Sequence, residues 1–213
     1  MPPEEVQGPE NQVSENQAAE NPVKVEPRQL SKYWGQLISI GDPILRRKLL
    51  PVEDFSEAKA FAETLTEAVR EIVGAGLAAN QLGIDRQVAV CEVRKTEMFP
   101  DRPESPLLIL VNPEIVSYSS EKEDDWEGCF SVPGYVGLVP RSSKIRLKYQ
   151  TLGGEKREED FEGYIARVIQ HEVDHLNGHV YIDHLRSSYD FISRRNYVKF
   201  VMKKNTTSKT SQK

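Results

Sequence analysis

The chain has 213 residues, 38% apolar and 29% charged, with a formal net charge of −5. That describes a soluble globular chain long enough to bury a core. The longest apolar run, 106-PLLILV-111, falls far short of the roughly 20 residues of a spanning helix, and two cysteines, Cys91 and Cys129, make no disulfide framework and fit a reducing compartment.

Residues 1–29 are rich in Glu, Gln, Asn and Pro and hold few large apolar side chains, so they are expected to be disordered. Their cations are only Lys24 and Arg28, which is the wrong chemistry for an Arg-rich mitochondrial presequence, and they show no apolar secretory core. Ser56 is the expected N-cap of an amphipathic helix over 57–73, with Phe61, Leu65, Ala68 and Ile72 on one face and Gly74 ending it. After the tight stretch 74-GAGLAANQLG-83 come strand-like runs at 87–93, 107–113, 114–119, 136–140 and 144–150. In the last, Ile145, Leu147 and Tyr149 alternate with Lys144, Arg146 and Lys148, the pattern of a half-buried strand. Gly153-Gly154 reads as a turn, and 161–178 as a mostly buried helix stopped at Asn177-Gly178. The stretch 180–185 reads as a final strand or turn, and 188–204 as a third helix. Strands in blocks with helices between them imply an α+β fold, with mostly antiparallel sheets around a central helix. A single domain over 30–204 and a disordered basic tail over 205–213 complete the division. The segment from Leu185 to Lys213 carries a charge of +7, leaving −12 elsewhere; a solvated helix face with a frayed tail is the favoured reading, and contact with an acidic partner such as RNA is the other.

The helix at 161–178 carries 171-HEVDH-175. Residues four apart share a helical face, with Cβ atoms roughly 5–6 Å apart, so His171 and His175 can aim at one ion. Glu172, rotated about 100° from His171, can reach a water there without binding the ion. The division suits metal-assisted hydrolysis, in which an ion acidifies water and a carboxylate takes the proton. Three polar residues on an otherwise apolar helix, among Tyr164, Ile165, Val168, Ile169, Val173 and Leu176, need a partner, and a metal is the simplest. A catalytic site usually has three protein ligands. His179, Asp183 and His184 fit a surface role. Cys129, in 126-WEGCFSVPGY-135, would complete a Cys-His-His set suited to zinc or ferrous iron, whereas Cys91 fits a strand core.

The three stretches 74-GAGLAANQ-81, 127-EGCFS-131 and 171-HEVDH-175, in this order, resemble the peptide deformylases. The likeness extends to 40-IGDPILR-46, 111-VNP-113 and 139-VPR-141, and the stretches 132–141 and 163–172 look most like the branch of eukaryotic organelles and some bacteria. The resemblance implies removal of the formyl group from N-formylmethionine at the start of new chains, by one divalent ion: Fe2+ in cells, Zn2+, Ni2+ or Co2+ in preparations. It implies Cys129, His171 and His175 as ligands, Glu172 as general base and acid, and Gln81 with the Phe130 N–H as donors to the developing oxyanion. It further implies that the peptide adds as a strand at Gly74, Ala75 and Gly76, opposite Gly128, with Tyr164 and Val168 lining the methionine pocket. Glu127 and Arg141 match a bracing ion pair. It implies nascent polypeptides as partners and a mitochondrial location, a cytoplasmic one being the alternative; the charge of the C-terminal segment, and not the resemblance, offers the ribosome as a further partner.

Three positions depart from the family pattern. Asn80 stands where Pro or Thr is usual and is expected to change loop stiffness only. Phe130 replaces a common Leu and keeps its backbone N–H. Val136 replaces a frequent substrate-contacting Arg, which implies weaker peptide binding. A zincin-type protease would keep the histidines and Glu172 but take its last ligand downstream, a ribosome-binding module would not need Glu172, and a hydrolase for a larger N-acyl group would need more space beside the ion.

Overall fold

The structure, a computed structural model, describes residues 31–97 and 100–202. The segments expected to be disordered, 1–29 and 205–213, lie outside the described residues.

Helix α1 spans Phe55–Glu71. Its N-cap is Asp54 and not Ser56: the Asp54 carboxylate accepts from Ser56 N at 2.8 Å and from Ser56 Oγ at 2.7 Å, so the serine supports the cap from inside the first turn. The helix ends two residues early, because Val73 takes a left-handed φ of 59° that turns the chain into Gly74.

Five strands form one antiparallel sheet in the order β1 (Gly76–Ala78), β2 (Val88–Cys91), β3 (Leu108–Tyr118), β6 (Lys144–Gln150), β7 (Lys156–Glu162). The two runs expected at 107–113 and 114–119 are one strand, β3, with register shifts after Val111 and after Ile115. Asn112, at a φ of 51°, sits in the first irregularity and spends its side chain on Val52 N and Gln150 Oε1. Strand β6 alternates as expected, with Ile145, Leu147 and Tyr149 buried. Its neighbour β7 has one apolar residue, Phe161, and matches opposite charges across the pair instead, as in Arg146 with Asp160 at 2.8 Å.

A second sheet holds β4 (Lys122–Cys129), β5 (Val132–Ser142) and β8 (Phe191–Ser193). Here the expected third helix is corrected. Residues 188–204 form a 3-10 turn, then β8, the short α3 (Arg194–Asn196) and a wide π turn over Tyr197–Met202, with the last two residues outside the described ones. The open edge of β5 captures Phe191 to Ser193 through backbone bonds to Tyr135–Gly137, and the Tyr135 and Phe191 rings stack 4.8 Å apart. The stretch 180–185 is a 3-10 turn, Tyr181–His184.

Helix α2, Gly163–Leu176, lies between the sheets. Ala166, Ile169 and Val173 pack on Cys91, Leu110, Ile145 and Leu147 of the larger sheet. Arg167, His171 and Asp174, spaced four and three apart, turn toward β4 and β5. A helix covered on both faces can thus carry a polar stripe that is matched by ionic and hydrogen-bonding partners from the smaller sheet.

Candidate metal and catalytic site

Strand β4 and helix α2 bring together residues 42 apart in sequence. Cys129 closes β4, where the register slips between Gly128 and Cys129 and the chain turns through Phe130 and Ser131 into β5. Its Sγ lies 3.1 Å from His175 Nε2 and accepts from Ser131 N at 3.4 Å. Cys129, His171 and His175 each present a ligand atom within 4.8 Å of the others, and they form the one such group among the described residues. Ligands bound at 2.0–2.3 Å to one tetrahedral ion stand roughly 3–4 Å apart, so small adjustments close this set on a single cation. One thiolate with two imidazoles suits zinc or ferrous iron.

Glu127, buried on β4, sets the electrostatics. Its carboxylate accepts from His171 Nδ1 at 2.9 Å, from Arg141 Nε at 2.9 Å and Nη2 at 3.0 Å, and from Arg167 Nη1 at 2.8 Å. Burial alone would protonate it. The hydrogen bonds from His171 and Arg141 outweigh burial and hold it well below the usual carboxylate range. With Nδ1 committed to Glu127, His171 turns Nε2 to the centre, which fixes both tautomer and ring orientation. Burial would raise the Cys129 thiol, but the adjacent His175 and His171 bring it well below its ordinary value, which favours the thiolate form that a cation would bind. Arg141 also binds Asp174, whose Oδ2 meets His184 Nε2 at 2.8 Å.

Glu172 differs. It is buried, and its Oε2 has no hydrogen-bond partner among the described residues. Burial pushes its carboxyl up to about 7, against the pull of His171 and His175. Gln81 sits in the 3-10 turn Ala79–Leu82. Its Oε1 accepts from Ala78 N at 3.0 Å, which turns Nε2 inward toward Ser131 Oγ at 3.2 Å and Cys129 Sγ at 3.5 Å. Asn80 does more than set loop stiffness: its Nδ2 donates to the His175 carbonyl at 2.7 Å and ties the Gln81 turn to α2.

A cleft of about 620 Å3 opens over these groups. Every residue expected to touch substrate, namely Gly74, Ala75, Gly76, Gly128, Tyr164 and Val168, lines it, as do Gln81, Phe130, Val136 and Glu172. Arg102 stacks on the Tyr164 ring at 4.8 Å. Asp183 and His184 are tied to Arg46 and Asp174 and stand apart from the cluster, and Cys91 is buried in the core. Sequence reasoning passed over Arg167, Asp174 and Ser131. The signal for the first two was present: Asp174 lies inside 171-HEVDH-175, and Arg167 is an ionic residue four before His171 on a helix treated as apolar apart from its motif. Ser131 closes the quoted 127-EGCFS-131 stretch but was given no role, and the C-terminal residues Arg194 and Tyr197, which also line the cleft, were hidden by the helical reading of 188–204.

A model of the family described as polypeptide deformylase matches residues 34–190. The chain is 42% identical over 157 residues to peptide deformylase 1 of Bordetella pertussis, covering 73% of this chain and 89% of that one. It is 43% identical over 152 residues to the peptide deformylase of Thermus thermophilus, covering 68% and 79%. Among solved structures, the Met-Ala-Ser-bound class I type b peptide deformylase of Acinetobacter baumannii superposes with a TM-score of 0.68 at 37% identity, covering 70% of this chain and 96% of that one. The Thermotoga maritima peptide deformylase gives 0.64 at 38% identity, covering 71% and 97%.

Proposed function

The chain belongs to the polypeptide deformylase family and removes the formyl group from the N-terminal methionine of new polypeptides, and we propose that Cys129, His171 and His175 hold the required ion while Glu172, Gln81 and the Phe130 N–H carry the reaction. The observation that carries this reading is the convergence of one thiolate and two imidazoles beside a buried carboxylate oxygen with no partner among the described residues.

When bound, a divalent ion supplies Lewis acidity that acidifies water and polarises the formyl oxygen. The formyl-methionyl peptide extends along β1, an edge strand, with its backbone against Gly74, Ala75 and Gly76 and across from Gly128. The Acinetobacter structure holds Met-Ala-Ser, which is the peptide product of this reaction. Tyr164 and Val168 flank the methionine side chain. Glu172 accepts the proton of the attacking water, whose oxygen joins the formyl carbon. Gln81 Nε2 and the Phe130 N–H donate to the formyl oxygen as it gains charge, one such donor being worth roughly 2.7–4 kcal/mol. The carbon–nitrogen bond then breaks, Glu172 passes its proton to the amine, and formate leaves.

Ferrous iron is the proposed physiological metal, with zinc, nickel or cobalt as substitutes, because a thiolate with two imidazoles accepts all of them. The C-terminal segment, with Arg186, Arg194, Arg195 and Lys199 beside the exposed Tyr189 and Phe200, supports a proposed contact with ribosomal RNA. Salt-sensitive sedimentation with ribosomes tests it. Residence in mitochondria belongs to the same proposal, from the organelle-like stretches at 132–141 and 163–172, and cell fractionation tests it.

The decisive experiment measures formate release from formyl-Met-Ala-Ser by protein loaded with iron in the absence of oxygen. Glu172→Ala should lower it at least about 100-fold with the ion retained. Undiminished release in that variant removes Glu172 from the chemistry.

A further inference from the structure

Glycine 76 lies in β1, and Glu172 presses on it from α2. A Cβ built on Gly76 would stand 2.8 Å from both Cγ and Cδ of Glu172 and nearer still to Oε1. Distances under 3.0 Å are essentially never shown by real Cβ atoms, so one group would have to move. An exposed glutamate would swing aside at little cost. Glu172 is buried, and so is Cys91, the β1 pairing partner of Gly76 on the adjacent strand. Backbone conformation does not call for glycine here, because Gly76 is absent from the positive-φ residues while Gly83, Gly163 and Gly178 are among them. Space is therefore the reason for glycine at this position. The comparison with Gly74 is direct: a Cβ there would meet the Phe130 ring and Val69 at 2.9 Å, and not Glu172.

We propose that Gly76 is a positioning residue for the reaction: its missing side chain is the notch that seats the Glu172 carboxylate against the strand on which the peptide lies. The inference rests on the reading of Glu172 as the proton carrier. His171 is aimed by a hydrogen bond to Glu127, whereas Oε2 of Glu172 has no partner among the described residues, so its place is set by shape. The backbone edge of Gly76 stays available to substrate, since the notch faces the helix. One residue thus serves peptide and carboxylate from two sides, and any larger residue displaces the carboxylate while leaving the metal ligands where they are.

The test is a double-mutant cycle on the iron-loaded protein with formyl-Met-Ala-Ser, read as kcat and KM separately, with bound metal and melting temperature recorded for each variant. Gly76→Ala should lower kcat at least about tenfold, with KM within about threefold and metal content unchanged. In the Glu172→Asp background, whose side chain is one methylene shorter, the same change should cost about threefold or less. Equal losses in both backgrounds overturn the proposal. So does a rise in KM at constant kcat, which signals a lost peptide contact and no displaced carboxylate. Gly74→Ala is the control, and its rescue by Glu172→Asp would also overturn the assignment, because that glycine faces Phe130. Should Gly76→Ala fail to fold, the pair Gly76→Ala with Glu172→Ala decides: with the side chain gone it should melt within a few degrees of Glu172→Ala alone, and failure of that double variant to fold overturns the notch. The melting cycle needs no turnover, so it tests the contact even if Glu172→Ala leaves formate release intact, which would sink the catalytic reading by itself.

Discussion

The β4 side of the site and the β1 side hold their residues by different means. On the β4 side, Glu127 gathers two buried guanidinium groups and the half-buried imidazole of His171, whose direction it fixes. On the β1 side, Glu172 meets a glycine and a carboxylate oxygen is left without a partner among the described residues. A metal ligand has to point one way and keep one proton state, which directional hydrogen bonds supply. A residue that must accept and return a proton loses that freedom if strong donors pin it as an anion, so packing suits it better. The contrast explains why neighbours on one helix have carboxyl or imidazole partners so unlike.

The largest effect that sharpens this contrast should come from Cys129→Ala. Metal content, measured by elemental analysis, should fall from near one per chain to a small fraction, and formate release should vanish with it, whereas Glu172→Ala keeps its metal. Retention of metal without the thiol would break the comparison and favour a site completed from elsewhere. Next, Glu127→Ala leaves Arg167 buried without its carboxylate partner and Arg141 with Asp174 alone. Breaking a buried ionic cluster from one side costs roughly 3–5 kcal/mol, which lowers the melting temperature by roughly 10 °C in a domain of this size. A matching loss of metal affinity, about 10- to 100-fold, is expected because His171 is released from its orientation. An unchanged affinity would mean that the brace serves folding alone.

Asp174 extends the same cluster and gives it a pH dependence. Burial would raise its carboxyl, but the His184 ring nitrogen 2.8 Å away and the charge of Arg141 hold it below its ordinary value. The folded value is therefore the depressed one. Its stabilisation is present above the ordinary carboxylate range, near pH 4, and is lost as pH falls through the lowered value. Asp174→Asn should melt lower than the parent at neutral pH, by roughly 1–3 kcal/mol, and the gap should close in acid. A gap that persists below about pH 3 would assign the effect to packing. The smallest expected change is Asn80→Ala, which removes the 2.7 Å bond to the His175 carbonyl and should cost roughly 1 kcal/mol in a urea titration, with little effect on metal content.

Local chemistry made some elements legible and concealed others. Strand β6 was readable because one face is buried and the other wet, which imprints alternation on the residues. Helix α2 was readable from its apolar spacing and its Asn177-Gly178 stop. Strands β4 and β7 were not: Lys122-Glu-Asp-Asp and Lys156-Arg-Glu-Glu-Asp have almost no apolar residues, and they pair because neighbouring strands offer edges and opposite charges. The 188–204 stretch has a helical pattern, but the unfilled edge of β5 pulls three of its residues into a strand. At the site, motif spacing singled out His171, Glu172 and His175 as candidates, and Cys129 was the thiol that could complete a ligand set. Arg167 and Asp174 became visible as parts of it only when β4 and β5 were laid against the helix.

The sequence alone determined which groups are present: two histidines and a glutamate at fixed helical offsets, a cysteine beside a glycine, and a glutamine in a tight turn. Those follow from residue spacing on a helix or turn, a short-range property. Only the tertiary structure decided that the cysteine sulfur approaches His175, that three side chains, Arg141, Arg167 and His171, share the one buried Glu127 carboxylate, and that Gly76 leaves room for Glu172. Contacts between residues far apart in the chain depend on how sheets and helix are packed, and no local pattern encodes that distance.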